Sequence, residues 1–69
     1  MEMIKKVEFY SKNNIKTHIF TKEKTLYNGY FKEQIEEGVF SFEDDLIGKT
    51  FIFISDIWRI DKYREKKDG

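Results

Sequence analysis

The sequence predicts an all-β fold: a small, five-stranded, strongly bent antiparallel barrel, with a short N-terminal segment in front of it. Three observations point there. Five short stretches are rich in β-branched and aromatic residues. Tight polar turns separate them. A glycine interrupts the second stretch, where a strand of a small barrel has to bend. At 69 residues the chain is read as a single domain. Residues 1–14 form the N-terminal segment, 15–63 the barrel and 64–69 a frayed tail.

The first strand is "IKTHIFT", residues 15–21, in which Ile15, Thr17 and Ile19 alternate with Lys16, His18 and Phe20. That is the period of a half-buried strand. "KEKT" turns the chain into a long second strand, "LYNGYFKEQI". There Tyr27, Gly29, Phe31 and Ile35 share one parity, and Glu33 breaks it near the exposed end. "EEG" is a turn ending in Gly38, and "VFSF" is a short third strand with Phe40 and Phe42 on one side. "EDDLIGK" is a loop whose Gly48 supplies an unusual backbone dihedral. The apolar "TFIFI" is the fourth strand, "SD" a tight break and "IWRIDKY" the last strand. Ahead of them, "EMIKKVEFYSKNN" reads as a short helix with Met3, Val7 and Tyr10 on one face, closed by Asn13 or Asn14. A strand through Val7–Tyr10 is the alternative.

Composition narrows the class. Twelve residues, 17%, are aromatic, which marks a folded domain even though 38% are charged. Cysteine is absent and His18 is the lone histidine, which removes disulfides, thiolate zinc sites and a cysteine nucleophile. No apolar run approaches the ~20 residues of a membrane span, and the start lacks a secretion signal's pattern. A cytoplasmic protein with no membrane partner is expected. Formal net charge is zero, but it is unevenly spread. Residues 1–35 carry seven lysines against four glutamates, residues 36–57 carry Lys49 against six carboxylates, and residues 58–69 carry five basic against three acidic side chains.

Residues 51–54, "FIFI", pose a packing problem. Alternate side chains of a strand face opposite ways, so Phe51 and Phe53 point one way, and Ile52 and Ile54 the other. One face fills the barrel; the other needs a cover. A core of this size supplies only ~3–5 kcal/mol unless something reinforces it. Self-association is the available reinforcement, and it would also protect an apolar edge.

The order of these features resembles the Sm-like family, including its Hfq-type branch, over roughly residues 15–63. The likeness lies in "IKTHIFT", the glycine-bearing "YNGYF", the acidic-glycine turn, "VFSF" and "TFIFISDIWRI". Small archaeal and viral Sm-like proteins show a similar pattern. The resemblance implies an Sm-like or SH3-like barrel, pairing of the fourth and fifth strands between neighbouring subunits, a closed homo-oligomeric ring and binding of single-stranded RNA. The family's RNA pocket uses an Asp and an Asn near the second-to-third strand loop, where this chain has Glu36 and Glu37 and no Asn. It also uses Arg-Gly, or Lys-His, at the break before the fifth strand, where this chain has Ser55-Asp56.

Rings interleaved with cations suit single-stranded nucleic acid, because bases stack on rings while cations neutralise phosphates. One such grouping is Lys16, His18, Tyr27, Tyr30 and Lys32, expected on the outer face of the sheet. Trp58, Arg59, Lys62, Tyr63 and Arg64 form a second. The nucleic-acid candidates are therefore Lys16, His18, Tyr27, Tyr30, Lys32 and Arg59. The interface candidates are Phe51, Ile52, Phe53, Ile54 and Trp58, the tryptophan because its type is enriched at binding hot spots. Core or interface packing is the competing role for most of these rings. Glu43–Asp45 is the densest carboxylate group, of the kind hard cations want, but it lacks calcium-loop spacing and reads as a solvated turn. No metal or cofactor is expected. Ser11, Ser41 and Ser55 sit in no nucleophile motif, so the chain is expected not to be an enzyme. A protein-interaction or assembly module without nucleic acid is the alternative function.

Overall fold

A computed structural model describes residues 2–64. In chain order these form α1 (Met3–Lys12), β1 (Thr17–Thr21), β2 (Leu26–Glu36), β3 (Val39–Asp44), β4 (Gly48–Phe53), a single 3-10 turn (Ile54–Asp56) and β5 (Ile57–Lys62). The five strands make one antiparallel sheet in the order β4-β3-β2-β1-β5. The sheet is open, with β4 and β5 as its two edges. Most of the tail, residues 65–69, lies outside the described residues.

The N-terminal segment is a helix. Met3, Ile4, Val7 and Tyr10 recur at helical spacing, and all four pack into the core, Val7 completely. Asn13 ends the helix, its backbone N–H and its side-chain amide both donating to the Phe9 carbonyl. Two long-range bonds hold α1 on the sheet. Lys6 Nζ donates to the Ile60 carbonyl at 2.9 Å, and Ser11 Oγ donates to the Lys32 carbonyl at 3.1 Å.

β2 is the spine of the sheet. Its first residues pair with β1 and the rest with β3, and Gly29 is opposite both Thr17 and Asp44. A Cβ at Gly29 would lie 1.8 Å from the Glu43 carbonyl oxygen. The strand crossing at this point therefore requires glycine for close approach. The inner face collects Ile19, Phe31, Phe40, Phe42, Ile52, Ile57 and Ile60 beneath Val7. Phe31 meets Phe42 and Phe40 edge-on, with ring centroids 5.0 and 5.9 Å apart. After β4 the chain crosses from one side of the sheet to the other. The Ile54 N–H donates to the Gly38 carbonyl and the Lys22 N–H to the Asp56 carbonyl, both at 2.8 Å.

Three sequence expectations are corrected, and one parity is broken. Ile52 belongs to the core of its own chain, 3% exposed, because it lies opposite Phe40 on the inner face, so it is no surface for a neighbouring subunit. Ile54 leaves the strand for the 3-10 turn and packs against the core. Tyr27, opposite the buried Ile19, faces the core edge-on to Phe42 instead of joining the outer platform. Ile35 shares Phe31's parity in the sequence yet is exposed, because register shifts between Phe31 and Glu36 turn the strand over.

Candidate nucleic-acid interface

Pairing of β1 with β5 joins the two ring-and-cation groupings into one surface. His18 stands opposite Asp61, and Phe20 opposite Arg59. On the other side of β1, His18 is opposite Asn28 and Phe20 opposite Leu26. Since Thr17 and Ile19 fill the core, Lys16, His18 and Phe20 point outward by strand alternation. Trp58 falls where the register shifts between Phe20 and Thr21, and that shift leaves its indole 64% exposed beside the row.

The row is His18, Phe20, Trp58. His18 and Phe20 meet edge-on with centroids 4.5 Å apart, and Phe20 and Trp58 edge-on at 6.3 Å. The Arg59 guanidinium lies 4.9 Å from the Phe20 centroid and 5.8 Å from that of Trp58. The His18 imidazole bonds to the Asn28 side-chain oxygen through Nδ1. Asn28 thus fixes the orientation of the His18 ring.

Beside His18 a cleft of about 570 Å³ is lined by Tyr10, Asp61, Lys62, Tyr63 and Arg64. Lys16 borders this region, with Nζ 4.3 Å from the Tyr63 centroid. Farther along β2, Lys32 Nζ is 5.5 Å from the Tyr30 ring. Two of the cations already have partners. Lys16 Nζ is 2.7 Å from Asp45, and Arg59 Nε is 2.8 Å from Asp61. The hydrogen bond to Asp45 holds the Lys16 pKa above its ordinary value despite the opposing cost of desolvation.

Of the sequence candidates, the structure brings Lys16, His18 and Arg59 into this surface, places Tyr30 and Lys32 on the adjoining strand and removes Tyr27. Asn28, Asp61 and Tyr10 are additions. Asn28 carried a signal, since it lies on the outer parity of β2 with Tyr30. Asp61 and Tyr10 become visible only through pairing across the chain.

The interface candidates split. Phe51 and Phe53 stand 53% and 50% exposed on the outer side of the β4 edge, while Ile52 is buried between them. The carboxylates of Glu43–Asp45 also separate. Asp44 is buried and accepts from the backbone N–H groups of Asn28, Leu46 and Ile47. Asp45 pairs with Lys16, and Glu43 lies opposite Lys49 in the register of β3 and β4. Among the described residues no group of three or more His, Asp or Glu side chains is placed to hold a metal ion. No helix among them is long and apolar enough to cross a membrane. No family model, curated protein or solved structure matches this chain.

Proposed function

We propose that this chain is an oligomeric, non-catalytic module of the Sm-like kind that binds single-stranded RNA on the outer face of β1 and β5. The observation that carries the reading is the continuous row His18–Phe20–Trp58, with Arg59 lying over two of its rings. Bases of any sequence can stack on such rings, and Arg59 stands beside them where a phosphate would follow. The neighbouring cleft, with His18 held by Asn28, offers polar groups to a base edge. The strand order supports assembly. β4 and β5 are the two free edges, at opposite ends of the sheet. Head-to-tail pairing of the β4 edge of one copy with the β5 edge of the next would close copies into a ring.

Fluorescence anisotropy with short U-rich and A-rich RNAs, titrated at several salt concentrations, tests the RNA reading. Binding is expected to weaken with salt, log K falling against log salt by ~0.7 for each phosphate neutralised. Absence of binding at low salt would sink it.

A second reading, an assembly module without nucleic acid, is favoured by one observation: Lys16 and Arg59 are already paired with Asp45 and Asp61. On that reading the exposed Phe51, Phe53 and Trp58 are protein contacts, and no RNA binds at any salt.

A further inference from the structure

The two free edges of the sheet are not equally open. The Tyr63 N–H donates to the Lys16 carbonyl at 2.8 Å, so these residues form a hydrogen-bonded pair at the end of the β1–β5 ladder. In an antiparallel ladder such pairs alternate with non-bonded ones. His18–Asp61 and Phe20–Arg59 are therefore bonded pairs, and Thr17–Lys62 and Ile19–Ile60 are not. Ile60 and Lys62 consequently turn their backbone N–H and C=O groups away from β1, onto the outer edge. On β4 the same alternation runs from the Ile54 N–H, which donates to the Gly38 carbonyl. It gives Lys49, Phe51 and Phe53 as the residues with outward backbone groups.

One of the outward groups on β5 is already taken. Lys6 Nζ donates to the Ile60 carbonyl at 2.9 Å, across 54 positions of the chain. The helix fixes this reach, because Lys6 adjoins Val7, which is fully buried against the sheet. Lys6 itself is half-buried, and among the described residues it has no carboxylate partner. Among the described residues no side chain bonds to the outward backbone groups of Lys49, Phe51 or Phe53. A lysine laid on a strand edge opposes pairing, since an incoming strand must place its own N–H where the lysine nitrogen sits.

We infer that Lys6 is an intramolecular cap on the β5 edge, which a backbone N–H from the β4 edge of a second copy must displace from the Ile60 carbonyl. This rests on the reading of the chain as a module that assembles through β4 and β5, and it adds the contact that regulates the assembly. Removing the lysine donor frees the carbonyl and strengthens edge pairing.

The test is sedimentation equilibrium of the wild type, Lys6→Met, Lys6→Gln and Lys6→Met/Lys62→Pro, with circular dichroism reporting the fold. Lys6→Met keeps an unbranched apolar stem and drops the donor; Lys6→Gln shortens the reach, so either variant that keeps the wild-type spectrum carries the test. Lys62→Pro removes an outward N–H and crowds the edge, while sparing β1, to which residue 62 donates no hydrogen bond. Lys6→Met and Lys6→Gln are expected to self-associate roughly tenfold more tightly than the wild type, the worth of a hydrogen bond from a charged group. Adding Lys62→Pro is expected to abolish that gain. Lys6 variants that associate no more tightly than an assembling wild type overturn the cap and leave edge pairing standing. A gain that survives Lys62→Pro also overturns the cap, because association then runs through another surface. Monomers throughout overturn both the cap and edge pairing, and leave the RNA reading to the anisotropy titration.

Discussion

Replacing Asp44 by alanine removes the acceptor for three backbone N–H groups at once. The Asn28 donor sits in the partly buried interior of β2, and the Leu46 and Ile47 donors form the adjoining turn. An abandoned buried donor costs about 1–3 kcal/mol, whereas donors that water can reach cost less. The alanine variant is therefore expected to lose about 2–4 kcal/mol, comparable to the ~3–5 kcal/mol that a core of this size supplies. Asp44→Asn keeps one oxygen, so either Asn28 or the Leu46–Ile47 pair must face an amide NH₂. Its loss is expected to be about half as large. Burial alone would raise the Asp44 pKa, but the three N–H donors outweigh it and hold it below the ordinary 3.8. A carboxyl depressed in the folded state contributes its full stability above the unfolded value, and that contribution disappears as pH falls through the folded one. The assay is urea unfolding by circular dichroism, from about pH 5 down to about pH 2. The wild type should lose its advantage over Asp44→Asn within that window. Parallel curves for the two proteins would refute the assignment of Asp44 as the charged cap of the turn.

Gly29→Ala should prevent normal pairing of β2 with β3, because its Cβ would sit 1.8 Å from a backbone oxygen that cannot yield. The expected cost is at the upper end of overpacking, about 3 kcal/mol or more, read as loss of the cooperative urea transition. Ile52→Glu should unfold the chain, since an unpaired charge would enter the core, whereas Phe53→Glu should preserve the spectrum and lower only the mass in solution; the reverse pattern would contradict the faces assigned to β4. Asp61→Asn frees Arg59 from its surface pair, which is expected to tighten RNA binding by roughly 2–5-fold in anisotropy titrations. Unchanged or weaker binding would place Arg59 outside the RNA path.

The helix was legible because Met3, Val7 and Tyr10 recur at helical spacing and Asn13 stands where a helix stops. It remained open beforehand because the short run Val7–Tyr10 also alternates. The Lys6–Ile60 bond that fixes it joins positions 54 apart, and no local pattern encodes it. The bend at Gly29 was readable from the glycine, but the register shifts after Phe31 were not. Neither glycine nor proline marks them, so parity with Phe31 does not reveal that Ile35 is exposed. Apolar character on both faces of residues 51–54 correctly posed the question of a cover. Only the β3 register shows that Ile52 goes inward and leaves Phe51 and Phe53 outside. The candidate site was legible in pieces. Lys16 and His18 belong visibly to one strand face, but Trp58 and Arg59 are adjacent and only the register shift opposite Phe20 and Thr21 brings both beside the row. Their union depends on β1 pairing with β5, a long-range contact that alternation within either strand cannot announce.

Sheet order also separates the two free edges, since β3, β2 and β1 lie between β4 and β5. The acidic stretch 36–57 does not make β4 an acidic edge: its one charge is Lys49, while β5 carries Arg59, Asp61 and Lys62. The carboxylates of β3 and its turn are matched within the chain, Asp44 by three backbone N–H groups, Asp45 by Lys16 and Glu43 by Lys49 across the strands. Pairing of the two edges would therefore rest on backbone hydrogen bonds and on the exposed Phe51 and Phe53. On the RNA reading, Lys16 and Arg59 are likewise already paired, with Asp45 and Asp61. Phosphate must compete with two carboxylates for these cations, which separates a salt-sensitive RNA surface from a protein contact that already has its charges matched.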